Sequence, residues 1–177
     1  MRYVATYLLL GFALAACATN SAKPAPPSVK PGDDRLNLTL ANYPGPGESN
    51  LGALGGKVLL VDFWATWCGP CHEAATAYEK LYQAHKAQGF VVYGVSVDDD
   101  TSGIDAFLKE QGVTYPIVLD PAAQKTGPKF ELSTIPATVL VDKGGHIRFA
   151  HSGYSDEEIA KTESEIQQLL AEPAPAP

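Results

Sequence analysis

The feature that most constrains this chain is the run KVLLVDFWATWCGPCHE at residues 57–73. Val58 to Val61, then Phe63, Trp64 and Ala65, form an apolar, partly β-branched stretch bounded by Gly55, Gly56 and Gly69. Such a run reads as a strand buried on both faces. It ends at Cys68-Gly69-Pro70-Cys71, where the pattern turns helical. Two cysteines separated by two residues at a strand-to-helix junction form a dithiol motif. Disulfide exchange needs one thiolate to attack and a second thiol close enough to release the mixed disulfide. At a helix N-terminus Cys68 faces unpaired backbone N–H groups and the positive end of the helix dipole, and both favour a thiolate. Cys71, one turn further in, is the better shielded sulfur. Pro70 falls in the first turn, where its missing N–H costs nothing, and Gly69 keeps the approach to the sulfur open.

Two other uses of such a pair fit less well. A closed zinc site takes four ligands, and the one remaining cysteine, Cys17, lies in the leader. A structural disulfide closing so small a loop constrains little of the unfolded chain.

With 177 residues the chain suits one domain with a real core. Its 45% apolar and 19% charged content is that of a soluble fold. A net charge of −7 and the absence of any basic run exclude nucleic acid as a partner. Residues 1–16 are a targeting segment: Arg2 precedes an almost wholly apolar stretch from Val4 to Ala16, too short to span a bilayer. Leu14-Ala15-Ala16-Cys17 resembles the lipobox of bacterial lipoproteins. That resemblance implies cleavage before Cys17 and a lipid on its sulfur, whereas an ordinary secretory leader would leave Cys17 incidental. An exported protein works where disulfides persist. Residues 17–34, rich in Pro, Ala, Ser and Lys, read as a tether, and 172–177 as a disordered Pro/Ala tail.

The domain is expected over 35–171. Leu36, Leu38 and Leu40 alternate with polar residues as a short strand, and the Gly/Pro-rich stretch 43–56 reads as a loop. After the buried strand a helix runs from Cys68 to about Gln88, with Gly89 as its stop. Phe90–Val97 reads as a strand ended by Asp98-Asp99-Asp100, which reads as a solvated turn. A short helix over 103–111, a strand over 115–119 and weak helical turns over 122–130 follow. Residues 137–141 and 147–151 form a hairpin around Lys143-Gly144-Gly145. Ser155 with Glu158 is a capping box for the last helix. The order β, β, α, β, α, β, α, β, β, α predicts an α/β domain with a mixed central sheet covered on both faces.

Asp62-Phe63-Trp64-Ala65, Trp67-Cys68-Gly69-Pro70-Cys71 and Thr134-Ile135-Pro136-Ala137 together resemble the thioredoxin fold. The extra strand and helix between Phe90 and Leu119 and the Gly56-Lys57-Val58 lead-in resemble the TlpA/ResA branch of exported thioredoxin-like proteins. The resemblance implies a thiol-disulfide oxidoreductase, mainly a disulfide reductase, with a role in cytochrome c maturation or disulfide repair and no organic cofactor. It implies Cys68 as nucleophile, Cys71 as resolving thiol, Pro136 as a cis-proline facing the dithiol, and Ile135 backbone free to pair with an extended substrate. It implies that Asp62 accepts the Cys71 proton, a role suited to a desolvated carboxylate of raised pKa; the bland reading is a hydrogen-bonded core residue. Trp67, with Gly69 and Pro70, would form the docking rim. The implied partners are disulfide-containing exported proteins, a membrane thiol-electron donor, and the membrane itself through lipid on Cys17. The lysine that often partners the acid has no match in Phe90–Val97.

His72 reads as a surface histidine or a cation beside the thiolate. A peroxiredoxin-like peroxidase would need a threonine framing its cysteine, and Thr66 stands at the wrong offset. A copper-delivery protein of this fold would need a third ligand, for which His146 and His151 are candidates.

Overall fold

The computed structural model describes residues 35–174. The leader, Cys17 and the tether lie outside them, as do the last three residues of the tail. The elements in chain order are β1 (Thr39–Tyr43), β2 (Glu48–Asn50), β3 (Val58–Trp64), α1 (Gly69–His85), β4 (Phe90–Ser96), α2 (Ile104–Gln111), β5 (Ile117–Leu119), α3 (Thr126–Phe130), β6 (Ala137–Val141), β7 (Ile147–Ser152) and α4 (Asp156–Ala171).

Seven strands form one sheet in the order β2-β1-β5-β4-β3-β6-β7. Strand β3 pairs parallel with β4 and antiparallel with β6, and all seven of its residues are buried. That burial is why its sequence is a continuous apolar run broken only by Asp62. One face of β3 (Val58, Leu60, Trp64) packs under α1, α2 and α4, with Tyr78, Phe107 and Ile166 in the cluster. The other face (Leu59, Val61, Phe63) meets Phe130 of α3 and Leu36, Leu38, Leu40 and Leu51.

Most boundaries fall where periodicity and caps place them. Gly89 closes the α1 region at φ 94°, a left-handed stop that favours glycine. Ser155 caps α4 by accepting a hydrogen bond from the Glu158 N–H at 3.1 Å. The first strand spans Thr39–Tyr43, so Leu36 and Leu38 are buried ahead of it rather than within it. Two further expectations need correction. The stretch 43–56 holds strand β2, which pairs with β1, so the sheet gains a strand at its edge. A three-residue strand with no apolar alternation carries no pattern of its own; its pairing partner defines it. The second correction is Asp98, which is buried rather than solvated. At the C-terminal end Arg148 grips Glu172 through two hydrogen bonds, at 2.7 and 3.1 Å. Among the described residues no helix is long and apolar enough to cross a membrane.

Candidate active site

Strand β3 delivers the chain to the site and α1 leaves from it. Cys68 is the N-cap of α1 in extended conformation (φ −87°, ψ 100°), and no acidic residue lies in the first turn to oppose the dipole. The Cys71 N–H donates to the Cys68 carbonyl at 3.0 Å. The two sulfurs are bonded, 2.00 Å apart, so the structure shows the oxidised pair. Cys71 is fully buried, whereas Cys68 retains a little exposure and lines a groove of about 460 Å³. Trp67, Pro70, Val97, Leu132, Thr134 and Ile135 share that groove, and Trp67 is 71% exposed. The Ile135–Pro136 bond is cis, and Ile135 lines the same groove as Cys68. Gly69 does not line the groove; a Cβ built there would meet nothing within 4 Å, so the helix start is open.

Asp62 lies on the face of β3 that α1 covers, between Leu60 and Trp64 and in the layer that contains Cys71. It is completely buried, and neither carboxylate oxygen has a hydrogen-bond partner. Desolvation alone pushes its pKa up to about 8. The reason no cation offsets this is local. The residue opposite Asp62 on β4 is Gly94, and the space its side chain would fill is taken by Ile117, the Trp64 indole N–H and Tyr115. On β6 the opposite residue is Thr138, whose Oγ1 is also buried without a partner. The hydrogen-bonded-core reading of Asp62 is therefore not what the geometry shows.

A second buried carboxylate, unrecognised in the sequence, shapes the same turn. Asp98 accepts from the Thr66 N–H (3.1 Å to each oxygen), from Thr66 Oγ1 (2.7 Å) and from Ser96 Oγ (2.9 Å). It thereby anchors the residue that leads into Trp67 and Cys68. Parallel register would have found it: Trp64 is opposite Ser96, so counting two residues on from each sets Thr66 beside Asp98. The same bonds tie the Thr66 hydroxyl to Asp98.

His72 is half-buried and bridges the Thr66 carbonyl (Nε2, 3.2 Å) and the Gln111 amide (Nδ1, 3.2 Å), edge-on to Phe107. These contacts make the ring a brace between α1 and α2. Neither candidate copper histidine is brought to the dithiol. His146 sits in the β6–β7 turn beside Asp142, at the sheet end opposite Cys68, and His151 is buried between Glu158 and Glu165.

A mixed sheet with a Cys-X-X-Cys pair heading its central helix and a cis-proline directly before strand β6 defines the thioredoxin-like class. A family model described as Redoxin matches residues 21–170, and the chain belongs to that family. It is similar to the thiol-disulfide oxidoreductase ResA of Geobacillus kaustophilus, 31% identical over 63% of this chain and 63% of that protein. It is likewise similar to the protein of the same name from Bacillus subtilis, 31% identical over 68% of this chain and 66% of that protein. The chain thus spans a little under two thirds of the length of each. A crystal structure assigned as the thiol:disulfide interchange protein DsbE of Chlorobium tepidum superposes with a TM-score of 0.73 at 28% identity, covering 81% of this chain and all of that one.

Proposed function

We propose that the protein is an extracytoplasmic thiol-disulfide oxidoreductase, held at a membrane by lipid on Cys17 and acting mainly as a reductant. The observation that carries this reading is the asymmetry of the pair: Cys68 lines the groove, while Cys71 is buried in the layer that holds an unpaired Asp62. Starting from the dithiol, the Cys68 thiolate attacks one sulfur of a substrate disulfide. The substrate S–S bond breaks, one substrate thiolate leaves, and a mixed disulfide forms. Asp62 takes the Cys71 proton. The Cys71 thiolate then attacks Cys68 Sγ, releases the second substrate thiolate and leaves the intramolecular disulfide seen here. Two electrons pass to the substrate, and a membrane thiol donor must return them.

Trp67 and Pro70 form an apolar rim for the substrate, and the backbone at Ile135 pairs with its extended chain. The Gly-Pro dipeptide between the cysteines supports the reducing direction by its resemblance to reducing members of the fold. Cytochrome c maturation and the repair of misformed disulfides are both served by such a reductant.

Trapping tests the reading. In Cys71→Ser the mixed disulfide has no resolving thiol, so exported substrates should accumulate on Cys68 and be released by dithiothreitol. The same adducts should be absent in Cys68→Ser. An empty trap in Cys71→Ser, with the protein folded and exported, would overturn the assignment.

A further inference from the structure

The buried acid poses a transport problem. With its pKa near 8, Asp62 holds a proton at neutral pH and must lose it before it can accept one from Cys71. The short way out, past the dithiol, leads through a fully buried Cys71 and a nearly buried Cys68. Once a substrate occupies the groove, that mouth is closed.

A second way leads sideways across the sheet. Asp62 of β3 is opposite Thr138 of β6, and Thr138 is opposite His151 of β7. Residues directly opposite in antiparallel pairs share a face, with Cβ atoms about 4.5–5.5 Å apart. The three side chains therefore form one row beneath α1 and α4. Tyr78 of α1 lies over it: its hydroxyl is pushed up by burial, by Asp62 and by Glu158, so it stands within electrostatic reach of both. Thr138 also acts on that hydroxyl, but the approach falls short of a hydrogen bond, since Oγ1 has no partner of good geometry.

The row ends in a cluster of three ionisable side chains. His151 Nε2 is 2.6 Å from Glu165, and Nδ1 is 3.1 Å from Glu158. The Nε2–Glu165 contact is a hydrogen bond, and Glu158 lies beside Nδ1 as a charged neighbour. His151 and Glu165 are largely buried, while the Glu158 side chain is 25% exposed and meets water.

We infer that Asp62 exchanges its proton with solvent across the sheet, through the hydroxyls of Tyr78 and Thr138 to the His151–Glu158–Glu165 cluster, and not past the dithiol. This rests on the reading of Asp62 as acceptor of the Cys71 proton. Hydroxyls both donate and accept, so each transfer makes one O–H bond as it breaks another. Rotation of the Tyr78 and Thr138 side chains closes the remaining gaps. No electron moves along the row. The other titratable groups facing it are Tyr115, which precedes β5, and Tyr154, which precedes α4. Thr138 and Tyr78 are positioning residues here; neither touches a reacting sulfur.

Thr138→Val is the decisive variant, because it keeps the shape and removes a hydroxyl that makes no hydrogen bond. It should fold with at least wild-type stability. Resolution of a preformed Cys68 mixed disulfide, followed by stopped flow from pH 6 to 9 in H₂O and D₂O, should slow by roughly tenfold near neutrality with an altered solvent isotope effect. Thr138→Ser should restore both, and Tyr78→Phe should slow the step independently. Wild-type rates and isotope effects in Thr138→Val and Tyr78→Phe, alongside a slow Asp62→Asn, would overturn the route and leave Asp62 as the acceptor. A fast Asp62→Asn would overturn both.

Discussion

Asp62 and Asp98 are the same residue type, buried to nearly the same degree near one end of the same sheet, and they do opposite things. Asp98 is surrounded by donors from Thr66 and Ser96, and its charge serves as an anchor for the turn before Cys68. Asp62 has none and is neutralised by desolvation. Strand β4 makes the difference. It offers Gly94 opposite Asp62, while two residues further on it offers Ser96 to Asp98. Burial by itself therefore does not set a carboxylate's role; the donors within reach do.

The largest way to break the contrast is Asp62→Asn. Because the folded protein binds this proton more tightly than the unfolded chain, the contribution of Asp62 to stability is fully present below the unfolded pKa of 3.8 and is lost as pH rises towards the folded value of about 8. Relative to the asparagine variant the loss is about 1.4 kcal/mol per pH unit across that window, on the order of 4 kcal/mol at pH 7. Urea unfolding of oxidised protein at several pH values should show the two stabilities diverging from pH 4 upward. Parallel curves would mean that Asp62 has donors the structure does not show. The same variant should turn over disulfides roughly a hundredfold more slowly near neutrality.

Asp98→Ala should act in the other direction. It strands the Thr66 N–H and two hydroxyls in a buried site, which costs roughly 3 kcal/mol. The expected loss is visible as a lower urea midpoint. Turnover should also fall, roughly tenfold, because Thr66 no longer holds Trp67 and Cys68 in place. If activity fell with no loss of stability, Asp98 would belong to the chemistry instead.

The two aspartates also mark what a sequence makes legible. The dithiol at a strand-to-helix junction, the buried run of β3, the Gly89 stop and the Ser155 cap are local patterns with local causes, and they stand in the structure where the pattern places them. Asp62 is conspicuous as the one charge in an apolar run. Its lack of donors is not legible, because that depends on Gly94 and Thr138, both distant in the chain and adjacent only through strand register. Asp98 is hidden for the converse reason. Three consecutive acids look like a solvated turn until parallel pairing sets the first of them beside Thr66. Strand β2 and the bracing of His72 by Gln111 are non-local in the same way.

Gly94 offers the smallest and sharpest test, since it is the position that leaves Asp62 alone. A Cβ there would lie 2.7 Å from Ile117 Cδ1, 2.9 Å from Trp64 Nε1 and 3.1 Å from Tyr115 Cε2. Trp64 is stacked on Phe107 with ring centroids 4.2 Å apart, so it has little freedom to retreat. Gly94→Ala should therefore destabilise the fold by about 1–2 kcal/mol through overpacking. Alanine brings no donor, so the dependence of stability on pH should stay parallel to wild type while the whole curve drops. A flattened curve would show that displacing Trp64 and Tyr115 lets water reach the carboxylate. The isolation of Asp62 would then belong to that aromatic cover, and not to the missing side chain on β4.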